Sequence, residues 1–317
     1  MTATNQYTDS PIAEDVYAGL TREPKRLPAR LFYDAAGSAL FEEITRLPEY
    51  YLTRTEAAIL TANAHAICRR AGKNVTLIEL AAGSAEKTRL LLAELLRRQL
   101  SVVYAPVDVS PAALSAAQAT IAHSLPRVRV QPILSELADL TFLAKYGSPR
   151  LVLFIGSTIG NLEDDDAITL LRRLATQLGP DDRLLLGNDL VKDVSVLLPA
   201  YNDAQGVTAR FNRNVLARIN RELGGTFDPN EFTHVACWNA ARSRIEMHLE
   251  SRRDQTVHIH DLGLVLEFAA GERIHTENSY KYTRARISTI LASAGFELEH
   301  TWSDEQGWYA VHLAHLR

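Results

Sequence analysis

The chain has 317 residues, 46% hydrophobic and 23% charged, with a formal net charge of −4. This is the balance of an ordinary globular protein able to bury one large core or two modest ones, and it gives no electrostatic reason to expect nucleic acid. Only Cys68 and Cys237 are present, which excludes a disulfide framework, and no apolar run approaches the roughly 18 residues of a membrane span. With no signal-peptide pattern at the N-terminus either, a cytoplasmic, monomeric enzyme with no membrane partner is expected.

In chain order, the first ten or so residues are expected to be disordered. Arg22, Lys25, Arg26 and Arg30, set among Pro24 and Pro28, suggest a solvated linker. Residues 38–44 are predicted as a helix with Leu40, Phe41 and Ile44 on one face. Thr53, with Glu56 three positions later, resembles a capped helix start. From Val75 strands alternate with helices: strands at 76–80, 102–107, 128–133, 151–155 and 183–187, helices at 86–98, 111–123 and 164–178. That is a doubly wound α/β domain.

Residues 152–155 carry no polar alternation, so their strand should be buried on both faces. Gly156, Ser157, Thr158, Gly160 and Asn161 follow at its carboxyl end, where open α/β sheets bind ligands. Past residue 191 the rhythm breaks. Residues 194–223 look helical with an interruption near Gly206, and 232–268 fall into short β-like runs. A helix at 281–294 precedes strands at 296–302 and 307–313, which would close the chain as an antiparallel hairpin. Residues 1–60 and 192–281 are therefore expected to form a second, α+β, substrate-binding domain, and 61–191 with 282–317 the cofactor-binding domain.

The first strand–loop–helix unit has the chemistry of a cofactor site. Ala81, Ala82 and Gly83 remove side chains where a ligand would lie against the backbone, and Ser84 can cap the helix that follows. Lys87 in the first turn opposes the helix dipole, which makes sense if it meets a carboxylate. Asp108 ends the second strand, placed to accept hydrogen bonds from ribose hydroxyls. The loop lacks both G-x-G-x-x-G and a Walker A pattern. S-adenosylmethionine, another nucleotide, and plain strand–helix packing all remain open on these residues. The closing hairpin favours the first, since methyltransferase sheets typically finish with an inserted antiparallel strand.

Several long blocks carry a resemblance: residues 33–51, Glu86-Lys-Thr-Arg, Gly156-Ser-Thr-Ile-Gly-Asn-Leu, Asp189-Leu-Val-Lys-Asp, residues 200–214, Arg244-Ile-Glu-Met and Thr276-Glu-Asn-Ser-Tyr-Lys-Tyr. Over nearly its full length the chain resembles the histidine Nα-methyltransferases of ergothioneine biosynthesis. The resemblance implies a class I, Rossmann-like methyltransferase fold and S-adenosylmethionine as cofactor. It also implies trimethylation of the α-amino group of L-histidine to hercynine. By position it implies that Tyr51, Asn161 and Tyr201 hold the amino and carboxylate groups, beside Gly156. Glu277 and Ser279, with Asn278 between them, would read the imidazole, and Met247 would line that pocket. Ala81, Gly83, Lys87, Asp108, Glu136 and Leu137 would contact the cofactor.

Tyr51, and Tyr33 with it, could orient the lone pair of the accepting nitrogen; no obligatory base is assigned. The chain departs from the family at Ala81-Ala82-Gly83, where Gly-x-Gly is usual, and at Glu136-Leu137, where Asp-Phe is usual. Each residue also has a plainer reading: Glu277 a loop acid, Tyr201 and Met247 core, Asn161 a helix N-cap, Lys87 solvated. His258 and His260 share a strand face but have no acid or cysteine cluster beside them in sequence, so no metal is expected. The competing functions are methylation of another aromatic amino acid such as tryptophan, and a cofactor-binding relative without catalysis.

Overall fold

The structure, a computed structural model, describes residues 10 and 12–317; apart from Ser10, the expected N-terminal disorder lies outside the described residues. In chain order the elements are α1 (Ala13–Leu20), α2 (Ala35–Ile44), α3 (Tyr51–Ala71), β1 (Thr76–Leu80), α4 (Thr88–Arg98), β2 (Val102–Asp108), α5 (Pro111–Ser124), β3 (Val128–Val130), β4 (Ile133–Leu134), β5 (Arg150–Phe154), α6 (Asp164–Ala175) and β6 (Arg183–Asp189). There follow α7 (Val194–Leu197), α8 (Val207–Leu223), β7 (Phe232–Asn239), β8 (Arg244–Ser251), β9 (Gln255–Ile259), β10 (Leu264–Phe268), β11 (Arg273–Tyr280), α9 (Arg284–Ser293), β12 (Phe296–Ser303) and β13 (Tyr309–Leu316). The chain divides into two compact units. One runs to Tyr50 and from Asp193 to Ser279; the other comprises Tyr51–Lys192 and Tyr280–Arg317.

The second unit is built on an eight-stranded sheet in the order β12-β13-β6-β5-β1-β2-β3, with β4 beside the end of β2. From β6 to β3 the neighbours are parallel, whereas β13 is antiparallel to both β6 and β12. Every residue of β5 is buried, as its unbroken apolar run requires. On one face Ile78, Val152, Phe154, Leu184 and Leu186 pack with Leu171 and Leu174 of α6 and Ile287 and Leu291 of α9. The alternate residues Leu77, Leu151, Leu153 and Leu185 point the other way and are equally buried.

Five sequence readings need correction. Helix α3 begins at Tyr51, so Thr53 and Glu56 lie within it and form no cap. The switch expected after residue 60 would cut this helix, which packs whole on α4 and β13. Helix α4 starts at Thr88, four residues beyond Ser84, because Ala81, Gly83 and Ala85 take left-handed backbone angles that no helix can hold. Helix α9 starts at Arg284, capped by Thr283, because Tyr282 is extended: its amide donates to Asp189 O (2.9 Å) and its carbonyl accepts from Val191 N (3.0 Å). Lys25, expected in a solvated linker, is buried, with its ammonium on Glu272 Oε1 at 2.5 Å and Glu23 Oε1 at 3.1 Å. Two carboxylates replace the water it gives up.

The first unit holds α8 against α2 and a three-stranded sheet in the order β11-β8-β7, with β9 and β10 as a separate ribbon. Its aromatic core includes the pairs Phe32–Phe211 (4.6 Å between centroids) and Phe232–Phe268 (5.4 Å). The helical stretch breaks as expected at Gly206, whose φ of +68° suits glycine, and Asp203 accepts from the amides of Val207 (2.9 Å) and Thr208 (2.7 Å) at the start of α8.

A buried ion pair fastens β5 to the turn before β6. Arg150 donates to Asp182 Oδ2 from Nη2 (2.6 Å) and Nε (3.0 Å), and the Asp182 side chain is fully buried. Burial pushes the Asp182 carboxyl up, but the bonds from Arg150, Gly179 and Ser148 outweigh it and hold it below its ordinary value. Its stabilisation is therefore complete above the unfolded carboxylate value and is lost as pH falls through the lowered folded one. Asp182→Ala, which strands Arg150, is expected to cost about 3–5 kcal/mol. A thermal midpoint at neutral pH within error of wild type would contradict this.

Candidate active site

At the carboxyl ends of the second unit's strands, the loop after β1 holds Ala81 (φ +54°), Gly83 (φ +54°) and Ala85 (φ +59°) in left-handed conformations. Nothing lies within 4 Å of where a Cβ on Gly83 would sit. The Gly83 amide donates to Asp108 Oδ2 (3.1 Å) and the Ser110 amide to Oδ1 (2.9 Å). Burial nevertheless raises the Asp108 carboxyl above its ordinary value, so these two donors do not fully compensate its charge. Leu134 pairs with Asp108, and Ser135 N donates to Asp108 O (3.1 Å), which brings the exposed Glu136 and the half-buried Leu137 out of the sheet beside it.

Lys87 does meet a carboxylate, but one from the protein itself. Its ammonium pairs with Oε2 of Glu56, which is wholly buried. The same carboxylate accepts from the Gly156 amide (2.9 and 3.0 Å) and from the Tyr309 hydroxyl (2.7 Å). It sits over Gly187 of β6, where any Cβ would collide with Glu56 Oε1. One side chain of α3 thus ties together the loop after β1, the loop after β5, and β13. Gly156 (φ +78°) leads into a 3-10 turn, Thr158–Asn161. Asn161 is no helix cap, since Glu163 occupies the N-cap position of α6; its half-buried amide makes no hydrogen bond among the described residues.

Tyr51 opens α3 and is buried. Its hydroxyl donates to Asp189 Oδ2 (2.7 Å) at the end of β6 and accepts from Lys192 Nζ (2.6 Å). Lys192 Nζ also donates to Asp189 Oδ1 (2.5 Å), and the fully buried Lys281 lies 2.8 Å from Asp189 Oδ2. Burial, reinforced by the nearby charge of Lys281 and opposed by Asp189, lowers the Lys192 amine to about 8.

The first unit gathers the remaining candidates around β11. Glu277, Asn278 and Ser279 are all buried there. Ser279 Oγ and the Tyr201 hydroxyl are 2.6 Å apart. Met247 of β8 is buried, and its carbonyl accepts from Thr276 (3.0 Å). Burial lowers His275 to about 4, so its neutral ring donates through Nε2 to Asn278 Oδ1 (2.9 Å). Tyr33, in the same unit, packs its ring against Phe41 and Phe211 (5.8 Å each). His258 and His260 stack at 6.0 Å. Cys237, Glu246 and His248 bring ligand atoms within 4.8 Å of one another, but Glu246 already binds Arg244 (2.6 Å) and Asn239 (2.9 Å).

The sequence reading gives Glu56 only a helix-capping role and gives Asp189, Lys192 and Lys281 none. Asp189, Lys192 and Lys281 fall in blocks that carry the resemblance, and those blocks are the signal that points to them.

Five parallel strands, an antiparallel strand inserted beside β6, a left-handed small-residue loop after β1 and an acid ending β2 define a class I S-adenosylmethionine-dependent methyltransferase. The chain belongs to the family of S-adenosylmethionine-dependent histidine-specific methyltransferases, whose sequence model matches residues 12–316. It is 47% identical over 308 residues to histidine N-alpha-methyltransferase of Mycolicibacterium smegmatis, covering 96% of this chain and 94% of that one. The protein of the same name from Mycobacterium tuberculosis is 44% identical over 303 residues, with 96% and 94% covered. Ergothioneine biosynthesis protein 1 of Neurospora crassa is 30% identical over 297 residues, spanning 92% of this chain and 33% of that longer one.

The residues present suit the cofactor. The open space at Gly83 admits a ligand against the backbone, and an incompletely compensated Asp108 favours donors such as ribose hydroxyls. Ala81 takes a left-handed φ of +54° despite its Cβ.

Proposed function

We propose that the protein trimethylates the α-amino group of L-histidine to hercynine, the first step of ergothioneine formation. Beyond family membership, the observation that carries this is the buried polar surface of β11, Glu277 together with Ser279 held on Tyr201. An imidazole offers one donor and one acceptor. A site with buried polar groups of both kinds rejects side chains that cannot satisfy them.

In this reading Glu277 accepts from the ring N–H and Ser279, positioned by its contact with Tyr201, serves the other nitrogen. Met247 lines the ring pocket, and Asn278, fixed by His275, supports it. Tyr51, Asn161 and Tyr201 bind the amino and carboxylate groups, and Gly156 leaves room for a nitrogen that grows at each turnover. The Ala81–Gly83 loop, Lys87, Asp108, Glu136 and Leu137 hold S-adenosylmethionine, which supplies the electrophilic methyl when bound. The accepting nitrogen needs a free lone pair, so Tyr51 must orient a neutral amine rather than an ammonium. Both ligands are cytoplasmic metabolites, which supports a cytoplasmic enzyme.

Incubation of the protein with histidine and S-adenosylmethionine, followed by mass spectrometry, should show species carrying one, two and finally three added methyl groups. Absence of any methylated histidine, or methylation of tryptophan in preference to it, would overturn the reading.

A further inference from the structure

Each transfer turns an ammonium into a more substituted ammonium, so one proton must leave the substrate nitrogen every time. The second unit has a built route for it. Around the Asp189 carboxylate lie the Tyr51 hydroxyl and two lysines, all nearly or wholly removed from water. Two buried lysines share the Asp189 carboxylate. The Lys192 amine sits at about 8, lowered by burial and by the charge of Lys281, so it gives up its proton readily. It is also the most exposed side chain of the three charged ones, at 4%, and lies between the exposed Val191 and Asp193. The charged and titratable groups facing it are Tyr51 from α3, Asp189 from β6, Lys281 just beyond β11, and Asp304 after β12.

We propose that Tyr51, Asp189 and Lys192 form the path by which the substrate ammonium loses its proton, with Lys192 as the terminal carrier. The proposal rests on the functional reading above, in which Tyr51 touches the accepting nitrogen. An N–H bond of the ammonium breaks and the nitrogen keeps the electron pair. Once Lys192 is neutral, the Tyr51 hydroxyl turns from Asp189 Oδ2 to Nζ, 2.6 Å away, and the substrate proton passes to Oη as the hydroxyl's own proton passes to that Nζ. Lys192 then returns it to water. Asp189 accepts from both partners and holds them in line, with the Lys192 ammonium also donating to Leu190 O at 2.7 Å. Tyr51 is the catalytic residue; Asp189 and Lys192 act through it.

The test is the pH dependence of the single-turnover rate with histidine, from about pH 6 to about pH 9.5. Wild type should rise through an apparent value near 8, because the neutral amine is the active form. Lys192→Arg keeps the positive charge but does not deprotonate in this range. It should lose that rising limb and at least about 100-fold in rate. Calorimetric affinities for S-adenosylhomocysteine and histidine should stay within about threefold, which reports an intact fold. Tyr51→Phe, with Lys192 untouched, should lose the limb as well.

A wild-type profile flat through this range, or a Lys192→Arg enzyme that retains the wild-type limb and rate, overturns the path. A wild type that binds S-adenosylhomocysteine yet never methylates histidine defeats the functional reading, and the path with it. Histidine methylation with an unchanged Lys192→Arg profile defeats the path alone.

Discussion

Glu277→Ala is expected to lower kcat/KM for histidine by about 100-fold while leaving the affinity for S-adenosylhomocysteine unchanged. The carboxylate is buried, so its removal leaves the bound imidazole N–H facing a desolvated void. Losing a charge-assisted hydrogen bond of this kind costs about 1.5–3 kcal/mol, and the upper end corresponds to roughly 100-fold in rate. The cofactor loop belongs to the other unit and shares no residue with β11, so cofactor binding serves as the internal control. Near-normal kinetics would remove Glu277 from the ring site. Turnover of an amino acid with an apolar ring should fall less than that of histidine, since such a ring gains nothing from the carboxylate.

Glu56→Gln is expected to weaken S-adenosylhomocysteine binding at least about tenfold and kcat/KM about 100-fold, with the fold retained. The carboxylate accepts four hydrogen bonds and is the counter-ion of Lys87. A carboxamide keeps the shape but has one acceptor oxygen instead of two and carries no charge. Whichever way it turns, its NH2 faces a donor, either Lys87 and the Gly156 amide or Tyr309 and that same amide. Only Tyr309 can reverse its hydroxyl to accept. Lys87 then carries a half-buried charge with a weaker partner, and the loops after β1 and β5 lose their common anchor. Glu56→Asp keeps the charge one methylene short and should recover part of the binding. Unchanged S-adenosylhomocysteine affinity in Glu56→Gln would show that the loops hold their positions without it.

The contrast between these two residues shows what could be read from the sequence. Glu277 lies in a block shared with the family, and its assignment comes from that block. Glu56 has a local spacing to Thr53 that mimics a capping box, yet its partners Lys87, Gly156 and Tyr309 are 31, 100 and 253 residues away. Periodicity locates the strands well because burial on two faces leaves an unmistakable apolar run, as in β5. Helix starts are less legible: the left-handed angles at Ala81 and Ala85 are imposed by the loop's surroundings on residues that favour helix. Lys25 misleads for the same reason as Glu56, since the carboxylate that lets it be buried, Glu272, lies across the fold.

The extended stretch at Leu190–Val191 and Tyr282 marks where the polypeptide leaves the second unit and comes back. Leu190 bridges Tyr282 in parallel fashion, and two backbone hydrogen bonds join the outgoing and returning segments. This stitch fixes where the polypeptide departs and re-enters, but the unit it serves also includes the segment that ends at Tyr50, which packs on the insertion through Phe32–Phe211 and Lys25–Glu272. Grafting a different ring-reading module would therefore require both segments to be carried across together.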